Sequence, residues 1–223
     1  MSIELYTGFV GSGKSYCATK EAINIVDSKL GTRYVIANFP IKPKKKTLHF
    51  LHKNEDDKYH KLDRWIFKNN DELTVKYLID KSLKMGWNKK EGSCLLIFDE
   101  ASIPFNARTF HRSDRLEWIQ FLTQSRKFGY DIIFITQDAR MLDKQIRSLC
   151  EYEVVHKKLN NMFAFKWLNL LRISIFAQVK YWNGTNARYT RGQLKLVKYS
   201  SSVSERYDTL RLFDLSTDYE TNQ

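Results

Sequence analysis

The stretch Ile3-Glu4-Leu5-Tyr6-Thr7-Gly8-Phe9-Val10-Gly11-Ser12-Gly13-Lys14-Ser15 decides the fold. Its first five residues read as a short strand, and from Lys14 to about Leu30 the residues Ala18, Ala22, Ile25 and Val26 recur on one helical side before Gly31 stops the helix. Gly8 to Ser15 between them satisfies G-x-x-x-x-G-K-[ST], in the strand–turn–helix context that a phosphate-binding loop requires. Glycines let the backbone curl so that successive N–H groups point inward at phosphate oxygens, and the helix N-terminus adds partial positive charge. Lys14 is suited to neutralise the β- and γ-phosphates and Ser15 to offer its hydroxyl to Mg²⁺. Gly8, Gly11, Ser12, Gly13, Lys14, Ser15 and Tyr16 are therefore the candidate ATP-binding set.

Two further segments complete a hydrolytic constellation. Leu95-Leu96-Ile97-Phe98-Asp99-Glu100 is an apolar run closed by two carboxylates, which are costly to bury without a cation. Asp99, at the strand's end, is the candidate second metal ligand with Ser15. Glu100, one residue further into the crevice, is placed to polarise a water. Gln137 follows the apolar run Ile132 to Thr136 at another strand end, where open α/β sheets hold their ligands. Arg126, Arg140 and Arg147 are candidates for an arginine finger reaching a neighbouring subunit, with Arg126 the first choice. The five histidines show no ligand pattern with nearby acids on a helix and are read as non-metal.

The rest of the chain alternates strand and helix. Tyr34 to Ala37, Cys94 to Phe98, Ile132 to Ile135 and Glu151 to His156 read as strands, and Arg64 to Phe67 as a short edge strand. Helices are expected over Asp71 to Met85, Ser113 to Phe128 (with Ser113 as N-cap) and Asp138 to Cys150. A mobile loop is expected from the basic run Lys42, Lys44, Lys45, Lys46 to past His60. Strictly apolar strands in a strand–helix order predict an α/β fold with a mostly parallel sheet flanked by helices. After Lys158 the pattern shifts to alternation, at Phe163, Phe165, Trp167 and at Ile173, Ile175, Ala177, Val179, which predicts antiparallel strands. The expected organisation is a core over residues 1–158 and a small basic β appendage with a polar tail over 159–223, packed on it as one domain.

The 223 residues, 43% hydrophobic with 3 Pro and 9 Gly, exclude a mostly disordered or collagen-like chain. Three scattered cysteines argue against a disulfide framework and for a reducing compartment. The longest stretch without Asp, Glu, Lys or Arg is nine residues, so nothing in these residues can span a bilayer as a helix. Net charge is +12, and Val155 to Ser200 holds nine Lys/Arg without one acid. Such a field attracts polyanions, nucleic acid or anionic lipid. On alternating strands the aromatics would turn inward, and Lys166, Lys180, Arg188, Arg191, Lys195 and Lys198 would share the solvated face.

The segments "YTGFVGSGKS", "LLIFDEA" and "SRKFGYDIIFITQDARMLDKQIRSLCEYEVV", in that order, resemble the zonula occludens toxin (Zot) family, the morphogenesis ATPases of filamentous phages, related to the FtsK/HerA class of P-loop DNA motors. "RYDT" at Arg206 to Thr209 resembles a late segment of that family's ATPase domain. On that resemblance Gly8, Gly13, Lys14 and Ser15 fall on the Walker A motif, Asp99 and Glu100 on Walker B, and Gln137 on the glutamine closing the fourth strand. It implies an ATP- and Mg²⁺-dependent motor for virion assembly, extrusion or DNA packaging. The expected form is a homo-oligomeric ring, a hexamer among its candidate sizes. The expected partners are phage DNA or coat and exit proteins. The place of work would be the host cytoplasm, with peripheral contact at the cytoplasmic face of the inner membrane. Family members typically continue into a transmembrane helix and an extracytoplasmic segment; these residues contain neither, so no toxin activity carries over. A nucleotide-regulated scaffold without turnover and a small-molecule kinase are the alternatives. The pairing of Asp99 with Glu100 suits water activation better than the dry site a kinase needs.

Overall fold

The computed structural model describes residues 2–44, 62–108, 115–171, 173–183 and 192–207. In chain order these form β1 (Ile3–Thr7), α1 (Lys14–Asp27), β2 (Tyr34–Ala37), β3 (Trp65–Phe67), α2 (Val75–Met85), β4 (Cys94–Phe98) and α3 (Arg115–Gln124). There follow β5 (Tyr130–Ile135), α4 (Lys144–Leu149), β6 (Tyr152–Lys158), α5 (Trp167–Leu170), β7 (Ile175–Trp182), β8 (Gln193–Lys198) and α6 (Ser201–Ser204). The strands make one eight-stranded sheet in the order β3-β2-β4-β5-β1-β6-β7-β8. Pairings from β3 through β6 are parallel, and β7 and β8 join antiparallel. The α/β architecture expected from the sequence is the one observed.

Successive side chains of a strand point to opposite faces, and here both faces of the central strands are covered. Leu96 and Phe98 of β4 and Ile132 and Phe134 of β5 pack with Leu78, Trp118, Phe121 and Ile146 from α2, α3 and α4. Leu95, Ile97, Ile133 and Ile135 face the other way, onto Cys17, Ala18, Ala22 and Val26 of α1. This is why β4 is buried along its whole length and why its sequence is unbroken apolar.

Several expected boundaries move, each for a local reason. α1 stops at Asp27 rather than near Leu30, with Ser28 already extended. α2 begins at Val75 because Thr74 caps it, its Oγ1 accepting from Tyr77 N at 3.2 Å. α3 tightens into a 3₁₀ turn over Ser125–Phe128 before Gly129. The single helix expected over Asp138 to Cys150 is two pieces, because two aspartates cap separately. Asp138 accepts from Arg140 N at the start of a 3₁₀ turn, and Asp143 accepts from Gln145 N and Ile146 N at the start of α4.

The larger correction lies after β6. Phe163, Phe165 and Trp167 are not on a strand; Leu159–Asn161 and Phe163–Phe165 are 3₁₀ turns leading into α5. The amide of Asn160 donates to Ile173 O and accepts from Ile175 N, so it closes the turn that brings the chain back as β7. Phe163 and Trp167 are exposed instead of forming core. Nor do the lysines share one face. Lys195 lies opposite Gln178, on the face of Lys180, whereas Lys198 lies opposite Ile175 on the other. Lys180 is moreover paired with Glu4 at 2.7 Å and sits over the Tyr152 ring. β7 pairs along the whole of β6, so the antiparallel strands continue the core sheet across residue 158. Lys45, Lys46, His49, His52, His60, His111, Ser113, Arg188, Arg191 and the tail from Asp208 lie outside the described residues. Among the described residues no helix is long and apolar enough to cross a membrane.

Candidate functional site

The C-terminal ends of β2, β4, β5 and β1 lie side by side in that order and open on one crevice. β1 leads into the Gly8–Ser15 loop, β4 into Asp99 and Glu100, β5 into Gln137, and β2 into Asn38. The loop is locked to its neighbours: Gly8 N donates to Gln137 O at 3.2 Å, and Ser12 N to Phe9 O at 3.1 Å. Gly8 and Gly13 have φ of 139° and 92°. A Cβ on Gly8 would lie 2.5 Å from His156 O, and one on Gly13 2.4 Å from the Phe176 ring. Only glycine fits either place.

Lys14 is buried, and its Nζ donates to Gly8 O at 2.8 Å and Phe9 O at 3.1 Å. Burial pushes its pKa down, against the opposing pull of the Glu100 and Asp99 charges. Ser15 Oγ donates to Asp99 Oδ1 at 3.0 Å, which brings together the two expected metal ligands from opposite ends of the motif pair. The Glu100 N–H also donates to Asp99 Oδ1 at 3.0 Å. Glu100 is half-buried and has φ 47°, the one positive φ off glycine among the described residues. Such a conformation costs on the order of 1–3 kcal/mol and clusters at working sites. Burial raises the Glu100 pKa, the Asp99 charge adds to the rise, and Lys14 opposes it.

Ser12 Oγ is buried without a hydrogen-bond partner among the described residues. That orphaned hydroxyl sits in a glycine loop beside a helix N-terminus, and it fits an anion that would complete it. The oxygen donors Ser15 Oγ and Asp99 Oδ1 suit a hard cation such as Mg²⁺. Gln137 is exposed at the rim. The Tyr16 side chain turns away from the loop: its ring stacks on Tyr199 and meets Phe176, and its hydroxyl accepts from Ser200 N at 2.7 Å. Only its backbone belongs to the site. Arg126 is not brought to the crevice. It lies just before β5, at the opposite end of that strand from Gln137, exposed and paired with Glu91 at 2.7 Å.

Two residues here carried no role in the sequence reading. Asn38 holds the Asp99 main chain from both sides, Nδ2 donating to Asp99 O at 2.8 Å and Oδ1 accepting from Asp99 N at 2.7 Å. Tyr207 donates its hydroxyl to Asp99 Oδ2 at 2.7 Å, and burial first, then the Asp99 charge, raises its pKa. Asn38 ends an apolar strand, a position that marks the crevice in such sheets. Tyr207 lies in the "RYDT" segment that carries part of the family resemblance, which marks the residue without assigning it a role.

A parallel sheet with a glycine-rich phosphate loop after β1 and an acidic pair after β4 defines the P-loop NTPase fold. Residues 2–204 match the family described as Zonular occludens toxin (Zot), and the chain belongs to it. It is 28% identical to the Gene 1 protein of Escherichia phage If1 over 235 aligned positions, covering 100% of this chain and 59% of that protein. The chain thus spans about three fifths of that relative's length. Against the Gene 1 protein of Enterobacteria phage fd it is 39% identical over 69 positions, 30% of this chain and 20% of that one. The genome packaging NTPase B204 of Sulfolobus turreted icosahedral virus 2, solved with AMP, shares the fold. Its TM-score is 0.51 at 16% identity, with 89% of this chain and 98% of that one covered.

Proposed function

We propose that this chain is the ATP-hydrolysing motor part of a filamentous-phage assembly protein, working in virion extrusion or DNA packaging. The observation that carries the reading is the 3.0 Å approach of Ser15 Oγ to Asp99 Oδ1, with Lys14 and Glu100 close enough for their charges to interact. Gly8, Gly11, Ser12, Gly13, Lys14, Ser15 and the Tyr16 N–H form the phosphate cradle. Lys14, now bonded to loop carbonyls, exchanges them for phosphate oxygens. Ser15 and Asp99 hold Mg²⁺, which when bound supplies charge neutralisation and orientation of the phosphates. Glu100 accepts a proton from the attacking water, and burial, which raises its pKa, makes it a stronger base than a free carboxylate. Gln137 orients that water from the rim.

The kinship with phage Gene 1 proteins and the genome packaging role of B204 favour phage DNA as what the motor acts on, with coat and exit proteins as the alternative. The reading extends to a homo-oligomeric ring at the cytoplasmic face of the host inner membrane. In such a ring a finger role for Arg126 belongs to a neighbouring subunit, since the residue lies away from its own crevice. The test is ATP affinity of Lys14→Ala. Losing a charge-assisted contact of about 1.5–3 kcal/mol lowers affinity roughly tenfold or more. Unchanged affinity for a fluorescent ATP analogue overturns the site.

A further inference from the structure

The Asp99 carboxylate is gripped from two directions. Its Oδ1 takes Ser15 Oγ and the Glu100 N–H, while Oδ2 takes the Tyr207 hydroxyl at 2.7 Å, from a residue 108 positions further along the chain. Asn38 pins the Asp99 backbone but leaves the carboxylate free to turn about its own bond. The phenol resists that turn, since rotating the carboxylate plane out of this setting would break the Tyr207 and Ser15 contacts together.

Tyr207 is itself tightly placed. Its ring meets Phe39 edge-on at 4.9 Å, and Phe39 meets Trp65 at 5.6 Å. The preceding Arg206 is buried, pairs with Asp27 Oδ2 at 2.7 Å and donates from Nε to Lys42 O at 2.9 Å. Lys42 N donates back to Arg206 O at 2.7 Å. A buried, paired arginine is not the mark of a loose tail. Residues 206–207 form a strap fastened across the end of α1 and the segment after β2, with its tip on the carboxylate.

We propose that Tyr207 is a positioning residue that holds the Asp99 carboxylate plane so that one oxygen stays aimed at Ser15, and that the metal affinity of the site depends on this strap. The role rests on the nucleotide site proposed above. With Oδ2 engaged by an O–H donor, Asp99 offers one oxygen, the monodentate mode that suits the tight octahedral demand of Mg²⁺. Removing the partner that orients a metal ligand typically costs about 10–100-fold in metal affinity.

Tyr207→Phe deletes the hydroxyl and keeps the ring against Phe39. Fluorescent ATP-analogue binding is measured on the whole chain in EDTA and then across Mg²⁺ concentration. Direct Mn²⁺ binding with a non-hydrolysable ATP analogue is followed by electron paramagnetic resonance. The expected result is metal-free nucleotide affinity within about twofold of wild type, with Mg²⁺ and Mn²⁺ half-saturation shifted up roughly tenfold or more. Tyr199→Phe, which deletes a hydroxyl bonded to Ser204 Oγ on the surface, should shift neither. An unchanged metal requirement in Tyr207→Phe overturns the role. So does an equal loss with and without metal, accompanied by a lower melting temperature, because a merely structural residue would behave that way. If wild type binds nucleotide and responds to Mg²⁺ while Tyr207→Phe matches it, the site stands and only the strap's role fails. A wild-type chain that binds no nucleotide in either condition refutes both.

Discussion

His156 sits under the phosphate loop in a place where a proton is unwelcome. It is 1% exposed, its ring lies 4.6 Å from that of Tyr6, and its carbonyl abuts Gly8. Nδ1 is 2.9 Å from Val154 O, which can only accept, so Nδ1 carries the hydrogen. Nε2 then accepts from the Gln178 amide at 3.0 Å. Charging the ring would set a new N–H against that donor in a buried place. Burial accordingly lowers the pKa from 6.5 to about 4, with Lys14 adding to the fall and bonds to Val154 and Thr7 opposing it. A folded pKa below the unfolded one means that the unfolded chain binds the proton first. The stabilisation is therefore present above about pH 6.5 and lost as pH falls toward about 4. The shift corresponds to roughly 3 kcal/mol in full, of which about 2 kcal/mol disappears between about pH 7.5 and about pH 5. Urea unfolding of wild type and His156→Gln across that range tests this, with the variant's slope the shallower by that amount. Carboxylates such as Glu100 titrate in both proteins and cancel in the difference. Parallel slopes would refute the reasoning.

Two further outcomes follow from the loop and the acidic pair. Gly13→Ala adds a Cβ at φ 92° and 2.4 Å from Phe176. Overpacking of about 1–3 kcal/mol should lower the melting temperature by several degrees in calorimetry, and an unchanged transition would mean that the loop and β7 are not in contact. Glu100→Gln should bind Mg²⁺-ATP like wild type yet hydrolyse it about 10²–10⁴-fold more slowly in single turnover. Hydrolysis at the parent rate would move the water-activating role to Gln137.

What the sequence by itself determined is the part governed by short-range rules. A G-x-x-x-x-G-K-S loop must sit between strand and helix, because its N–H groups converge only there. Leu95 to Phe98 must be buried on both faces, because no polar side is left to show water. These rules put Lys14, Ser15, Asp99, Glu100 and Gln137 together beyond the C-terminal ends of the central strands. The alternation at Phe163, Phe165 and Trp167 misled, because period two marks a strand only when a partner takes up its backbone bonds. Here Asn160 closes the turn instead. Arg126 is a candidate for reaching a neighbouring subunit, and the fold sets it at the opposite end of β5 from Gln137, because a strand carries its two ends to opposite sides of the sheet. Tertiary structure alone decided that Asn38 holds the Asp99 backbone, that Tyr16 packs on Phe176 and Tyr199, and that Tyr207 reaches Oδ2. Each of these contacts joins segments far apart in the chain, and no local pattern of residue types encodes a distance that only the folded sheet sets.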